Sequence, residues 1–371
     1  MSFEYRTVTE SIAAKAAAHA MATDAGAFPT QTVQALGESG LLGLVSAMSV
    51  GGKGLGLAEA AHVVERLARE CASTAMIVCM HYCATAVLEQ HGPEDVRRAI
   101  ASGKHLTTLA FSEPGSRSQF WASLCTATLA GDQVRITGKK SFATSAHHAD
   151  TYVWSSKPVA GAELSTLWLV PRESAGLRVD GAFDGLGLRG NDSAPITAED
   201  LRVPVTSRLG EDGAGFGIMM GIVLPWFNVL SASVSAGLME ALVDRTAKHV
   251  GAARFDHAGS TVADLPTVRA FVARMRIKTD QTKTLNADTI AAIAGARADA
   301  MLRVLESKAA AGEAAAEVGD LAMRVCGGAA FRKDVGIDRM FRDARAAMVM
   351  GPTTDVLYDF IGKAVCGLPL F

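Results

Sequence analysis

The sequence predicts a multidomain α+β protein in three parts. These are an N-terminal helical domain (residues 1–104), a small central β-barrel or sandwich (105–212) and a C-terminal four-helix bundle (213–371). Three observations carry this prediction. The chain has 371 residues, beyond the roughly 250–300 at which a single core stops growing. Apolar residues recur at helical spacing in the outer thirds, while the middle holds short β-branched and aromatic runs between turn residues. Hydrophobic residues make up 49% and charged residues 20%, enough apolar surface for a large core.

In the first part, residues 8–21, 31–42, 58–70 and 73–90 read as helices, with Gly43 as a stop and Ser73 and Thr74 as caps of the fourth. The string GGKGLG (51–56) looks like a phosphate loop, but Gly54 rather than Ser or Thr follows Lys53 and no strand precedes it. It reads as a glycine-rich turn. In the middle part, residues 106–111, 123–129, 133–137, 151–155, 166–170 and 196–203 read as antiparallel strands, with turns near Gly131, Pro158, Gly161 and Gly181. In the last part, residues 216–250, 266–294, 297–311 and 313–325 read as long helices, the later ones rich in alanine. Residues 214–239 carry no charge over a length that could span a bilayer. Pro225, Asn228, several serines and the absence of flanking basic residues favour a buried helix instead.

Thirty-six basic residues against 38 acidic ones, with no basic block, argue against a nucleic-acid binder and point to a small-molecule partner. The mixed-charge N-terminus does not read as a secretory signal. Six scattered cysteines read as free thiols, so a soluble cytoplasmic protein is expected, with no membrane partner. Cys79, His81 and Cys83 lie two apart, a spacing that does not converge on a helix, so no metal site is expected.

Strings in all three parts carry a resemblance. They are LAFSEPGSRSQF (109–120), ITGKKSFATSA (136–146), GLGLRGNDSAPITAEDLRVP (185–204) followed by LGEDGAGF (209–216), and RVCGGAAF (324–331) with RMFRDARAAMVMGPTTDVL (339–357). Together, and over essentially the whole chain, they resemble the acyl-CoA dehydrogenase family of flavoproteins. The resemblance implies that family's fold, FAD as cofactor and an acyl thioester of coenzyme A or of an acyl carrier as substrate. It also implies a homodimer or homotetramer with FAD at a subunit interface, and an electron acceptor or flavin reductase as redox partner. Residue by residue, it implies that Phe111 and Ser112 bond the flavin pyrimidine edge, that Thr144 bonds flavin N5, and that Phe142 replaces a tryptophan beside the ring. Gly115 and Ser118 belong to the signature loop, Ser118 facing cofactor or substrate phosphates. Gly327 and Gly328 would approach the FAD pyrophosphate, with Arg324 where a glutamine is expected, and Thr353 and Asp355 would lie near the adenosine half. For each residue the plain alternative is a strand or turn position without a ligand.

The sequence departs from the family at its base. The glutamate that removes the substrate α-proton is replaced by Gly351, and its alternative position by Phe227. An R-x-x-F-G loop is replaced by residues 249–264. Desaturation by resemblance therefore stands beside three alternatives: a flavin monooxygenase, non-oxidative thioester chemistry of the desulfinase kind, and a non-catalytic flavin- or thioester-binding protein. His81 is a candidate base for the monooxygenase, or else a hydrogen-bonded core histidine. His147 and His148 read as turn residues, and Asp343 with Arg345 as a packing ion pair.

Overall fold

The computed structural model describes residues 3–161 and 163–370. Helices α1 (Tyr5–Asp24), α2 (Thr30–Glu38), α3 (Leu57–Ala68), α4 (Ala72–His91) and α5 (Glu94–Ala101) form the first part. Because α4 is apolar on every side, it is buried on every side except at Met80 and its last turn. Its cap is Cys71, without a side-chain bond; Ser73 and Thr74 lie inside the first turn rather than capping it. The GGKGLG segment follows a 3₁₀ turn (Met48–Val50) and reverses at Gly51 (φ 93°) and Gly54 (φ 63°) into α3.

Eight strands form the middle part: β1 (Thr107–Ala110), β2 (Thr126–Ala130), β3 (Gln133–Ala143), β4 (Thr151–Ser156), β5 (Thr166–Pro171), β6 (Leu177–Val179), β7 (Ala194–Pro204) and β8 (Arg208–Leu209). They make two four-stranded sheets, ordered β1-β4-β5-β8 and β2-β3-β7-β6. The expectation of antiparallel strands fails at one pair. β1 and β4 run parallel, with Thr107 opposite Thr151, because more than one turn separates them in sequence. Ile136, Trp154, Trp168 and Ile196 pack the interior. At one end lies a buried ion pair: Lys140 Nζ meets Glu113 Oε1 at 2.5 Å and also donates to the carbonyl and hydroxyl of Ser155 (2.7 and 2.8 Å). Glu113 Oε2 accepts the N–H groups of Leu124 (2.5 Å) and Cys125 (3.2 Å).

In the last part a short helix, α6 (Gly215–Ile218), passes through a π-helical turn (Met219–Val223) into α7 (Leu224–Ala252). A two-stranded hairpin of β9 (Arg254–Phe255) and β10 (Ser260–Thr261) precedes α8 (Pro266–Ala294) and α9 (Ala300–Cys326). The shorter α10 (Ile337–Ala344), α11 (Ala346–Val349) and α12 (Thr354–Val365) pack along α9. The break expected between residues 311 and 313 does not occur. Gly312 is buried within α9, and a single glycine costs only about 1 kcal/mol, which packing of the surrounding alanines offsets. Two segments, Ala72–His91 and Gly215–Ala252, are long and apolar enough to cross a membrane, and both lie mostly inside the molecule. They share one core, formed with α3 and α9.

Candidate active site

A cavity of about 250 Å³ opens where the three parts meet. Its floor is α4 (Met76, Met80) and the π-helical turn with the start of α7 (Val223, Phe227). The strand ends supply Phe111, Ser112, Phe142 and Thr144. The loop before β7 adds Gly187, Leu188, Asn191 and Ser193, and the segment after α11 adds Met350 and Gly351. π-turns inside helices recur at functional sites because they re-aim side chains, and Val223 is re-aimed here onto the cavity.

The polar groups gather on one side. Thr144 Oγ1 and Ser193 Oγ are buried and 3.1 Å apart, and Asn191 Oδ1 accepts the Ser193 N–H at 3.1 Å. Ser112 holds the start of the signature loop against β3 through its carbonyl, which accepts the Ser141 N–H at 2.8 Å. Beside these, Phe142 leaves 64% of its surface exposed at the cavity. A flat apolar ring at a mouth with hydroxyls beyond it is a site for a planar heteroaromatic ligand.

The structure brings four sequence-selected residues and both base positions to this one cavity: Phe111, Ser112, Phe142, Thr144, Gly351 and Phe227 all line it. Positions 227 and 351 meet although more than a hundred residues separate them. Gly115 and Ser118 lie outside the lining, in a loop of positive φ at Gly115, Arg117 and Ser118. Ser118 Oγ accepts the Thr353 N–H at 2.8 Å, so Thr353 serves as the N-cap position of α12 and Asp355 as its first-turn acid. Gly327 (φ 54°) and Gly328 end α9 with nothing within 4 Å of an added Cβ, an open backbone surface. Arg324 lies over the Phe271 ring at 4.5 Å. None of Gly115, Ser118, Arg324, Gly327, Gly328, Thr353 or Asp355 reaches the cavity wall.

His81 is corrected. It is fully buried on α4 and does not line the cavity; the neighbouring Met80 does. Its Nδ1 accepts the Thr107 N–H (3.2 Å) and its Nε2–H donates to the Leu42 carbonyl (3.0 Å), so both ring nitrogens tie α4 to β1 and to the turn after α2. Burial pulls its pKa down to about 4. The oxygenase alternative thereby keeps the absent glutamate but not a cavity-lining His81. His147 pairs with Asp192, and His148 stacks on Phe28 at 3.7 Å, as turn residues.

A pH dependence follows. The unfolded imidazole protonates near 6.5 and the folded one near 4, so His81 contributes stability above pH 6.5 and loses roughly 3 kcal/mol of it as pH falls to 4. Asp343 acts in the opposite sense, because burial raises its carboxyl to about 6 and its contribution is lost as pH rises. The difference between wild type and His81→Gln in denaturant unfolding therefore isolates the histidine. That difference is expected to be largest at pH 7 and to shrink toward pH 4; a pH-independent difference would contradict it.

Asp343 also corrects an expectation. Its partner is not Arg345, which pairs with Asp320, but the Leu188 N–H at 2.7 Å. Arg342, next to it, pairs with Asp24 at 2.7 Å and closes over Gly187, where a Cβ would meet the Arg342 carbonyl at 2.5 Å. α10 thus fixes the cavity loop that carries Leu188 (φ 52°).

Sequence reasoning missed Met76, Met80, Asn191, Ser193 and Val223. The polar pair was within reach, since Asn191 and Ser193 sit inside a quoted string; the methionines carry no signal beyond apolarity. Among the described residues no group of three or more His, Cys, Asp or Glu could hold a metal.

Comparison with known proteins gives three family matches in chain order: Acyl-CoA dehydrogenase, N-terminal domain (residues 4–103), middle domain (108–201) and C-terminal domain (213–366). A probable acyl-CoA dehydrogenase of Bacillus subtilis is 26% identical over 339 residues, covering 89% of this chain and 88% of that protein. An L-prolyl-[peptidyl-carrier protein] dehydrogenase of Pseudomonas fluorescens is 29% identical over 345 residues, 88% of each. The glutaryl-coenzyme A dehydrogenase structure in complex with glutaryl-CoA superposes with a TM-score of 0.91 at 22% identity, covering 100% of this chain and 97% of that one.

Proposed function

Because the chain belongs to the acyl-CoA dehydrogenase family, we propose that it is an FAD-dependent oxidoreductase acting on an acyl thioester, and that its reaction is α,β-dehydrogenation. The carrying observation is the cavity itself: apolar walls, one buried hydroxyl pair, and the two positions that hold a base elsewhere in the family. The chain's residues fit FAD. Phe142 offers an uncovered ring, Ser112 and Thr144 offer hydroxyls, and Gly327 and Gly328 offer backbone that a side chain would block. Bound FAD supplies the hydride acceptor.

The protein's part is to bind, orient and dehydrate. Thr144 Oγ1 is held on the cavity wall by its hydrogen bond with Ser193 Oγ, in which either hydroxyl can donate. Gly351 presents only backbone at the position of the α-proton acceptor, so its contribution is a hydrogen bond to the thioester carbonyl rather than proton removal. Phe227, Met76 and Met80 form the apolar floor for the acyl chain. Among the described lining residues none is Asp, Glu, His or Lys, so the α-proton would pass to water rather than to a positioned side-chain base.

An anaerobic titration of the purified flavoprotein with acyl-CoAs of graded length tests this. The visible flavin band is expected to shift on binding and to bleach slowly with one length class. No response to any acyl-CoA or acyl carrier thioester would sink the reading.

We propose also that the protein assembles as a homodimer or homotetramer in the cytoplasm, with an electron acceptor or reductase as partner. Phe331, 82% exposed beside Gly327 and Gly328, supports a subunit contact, and six free cysteines support a reducing compartment. A monomeric mass by light scattering of the FAD-loaded protein would count against assembly.

A further inference from the structure

Lys308, on α9, is fully buried, and among the described residues no carboxylate pairs with it. Its Nζ donates instead to three backbone carbonyls: Ala347 at 3.1 Å, Met350 at 2.9 Å and Pro352 at 2.7 Å. An ammonium has three protons, and here each finds an acceptor. The Met350 and Pro352 carbonyls bracket Gly351. Ala346, Val349, Met350 and Gly351 together form one wall of the cavity.

The segment leaves α11 at Val349 and enters α12 at Thr354, so its backbone has no helical ladder to fix it. Its far end is held from the middle part by the Ser118 hydroxyl on the Thr353 N–H. Among the described residues, the hydrogen bonds at its near end are those from Lys308 and the Met350 N–H bond to the Ala346 carbonyl. No described residue accepts the Gly351 N–H.

We propose that Lys308 is a positioning residue that gathers the Ala347, Met350 and Pro352 carbonyls and so commits the Gly351 N–H to the thioester carbonyl; this rests on the acyl-thioester reading above. The Met350 carbonyl shares its peptide plane with the Gly351 N–H, so Nζ fixes that plane directly, while the Ala347 and Pro352 carbonyls anchor the chain before and after it. Burial lowers the Lys308 pKa to about 7, so below that pH a cation stands behind those peptides and polarises them, which strengthens an N–H donor where negative charge develops on a substrate oxygen. The Phe227 ring lies 5.8 Å from Nζ.

The test uses the FAD-loaded protein and Lys308→Met, which keeps the apolar stem and removes the donors, with Lys308→Arg prepared alongside in case the methionine variant does not fold. Butyryl-CoA is the probe, read by the flavin band, and amide hydrogen exchange is followed over residues 347–353. The expected result is unchanged FAD content, a butyryl-CoA Kd raised at least tenfold, and faster exchange confined to that segment. Unchanged Kd and exchange would overturn the proposal, as would FAD loss in proportion to the loss of thioester response, the mark of general damage. Should wild type ignore every thioester, the donor assignment falls with the thioester reading. The exchange comparison alone then decides whether Lys308 anchors the segment.

Discussion

Gly351→Glu is expected to raise the rate of flavin bleaching by a bound acyl thioester about 10²–10⁴-fold, the range a positioned general base contributes. Space is available. A Cβ on Gly351 would meet the Ser118 carbonyl and hydroxyl oxygens at 3.5 Å, ordinary contact, and Gly351 is not among the positive-φ glycines, so a side chain is not strained there. Because Gly351 lines the cavity, a glutamate carboxylate on it is expected to reach the substrate carbon. Anaerobic stopped-flow bleaching by the best acyl-CoA from the titration is the measurement, with Gly351→Gln as the control of equal size and no basicity. Equal rates for glutamate, glutamine and wild type would mean that the residue does not face the α-carbon.

Glu113→Ala is expected to lower stability by about 3–5 kcal/mol, the loss seen when one partner of a buried ion pair is removed. Glu113 and Lys140 are 2.5 Å apart with side chains 2% and 1% exposed, so the orphaned ammonium has no water to turn to. The Leu124 and Cys125 N–H groups lose their acceptor at the same time. Lys140 would keep only the Ser155 oxygens and the Trp154 ring, 5.0 Å away. Denaturant unfolding measures the loss. Glu113→Leu combined with Lys140→Met is expected to be milder than Glu113→Ala alone, since no buried charge then remains. A double variant no more stable than the single one would show that the charge was not what mattered.

The outer helices were legible in the sequence because their apolar spacing is long and regular; residues 266–294 were read to the residue. Short elements escaped. α5, α10 and α11 span eight residues or fewer, too short for periodicity to stand out, and β6 and β8 take their form from pairing with β7 and β5. The parallel β1–β4 pair was not visible, since direction is set by the connection and not by strand composition. At the site, strings of residues in sequence picked out Phe111, Ser112, Phe142 and Thr144, which line one cavity, whereas for His81 they left open the choice between base and core histidine. What decides its role is a carbonyl from Leu42 and an amide from Thr107, and no local pattern announces such distant backbone partners. Lys308 was passed over for the same reason: in an alanine-rich helix it reads as a surface lysine, and its three acceptors lie about forty residues away.

The shared core of α3, α4, α7 and α9 bears on how the protein is made. At Gly237 an added Cβ on α7 would lie 2.2 Å from the Glu65 carbonyl of α3, so the two backbones touch and neither helix has a finished surface alone. Roughly 130 residues separate the end of α4 from the start of α7. At about 5–20 residues per second, a ribosome holds the apolar α3–α4 hairpin without its partner for roughly 7–27 s. During that interval α4 is a sticky segment long enough to be mistaken for a membrane span, and the nascent chain needs shielding until α7 emerges.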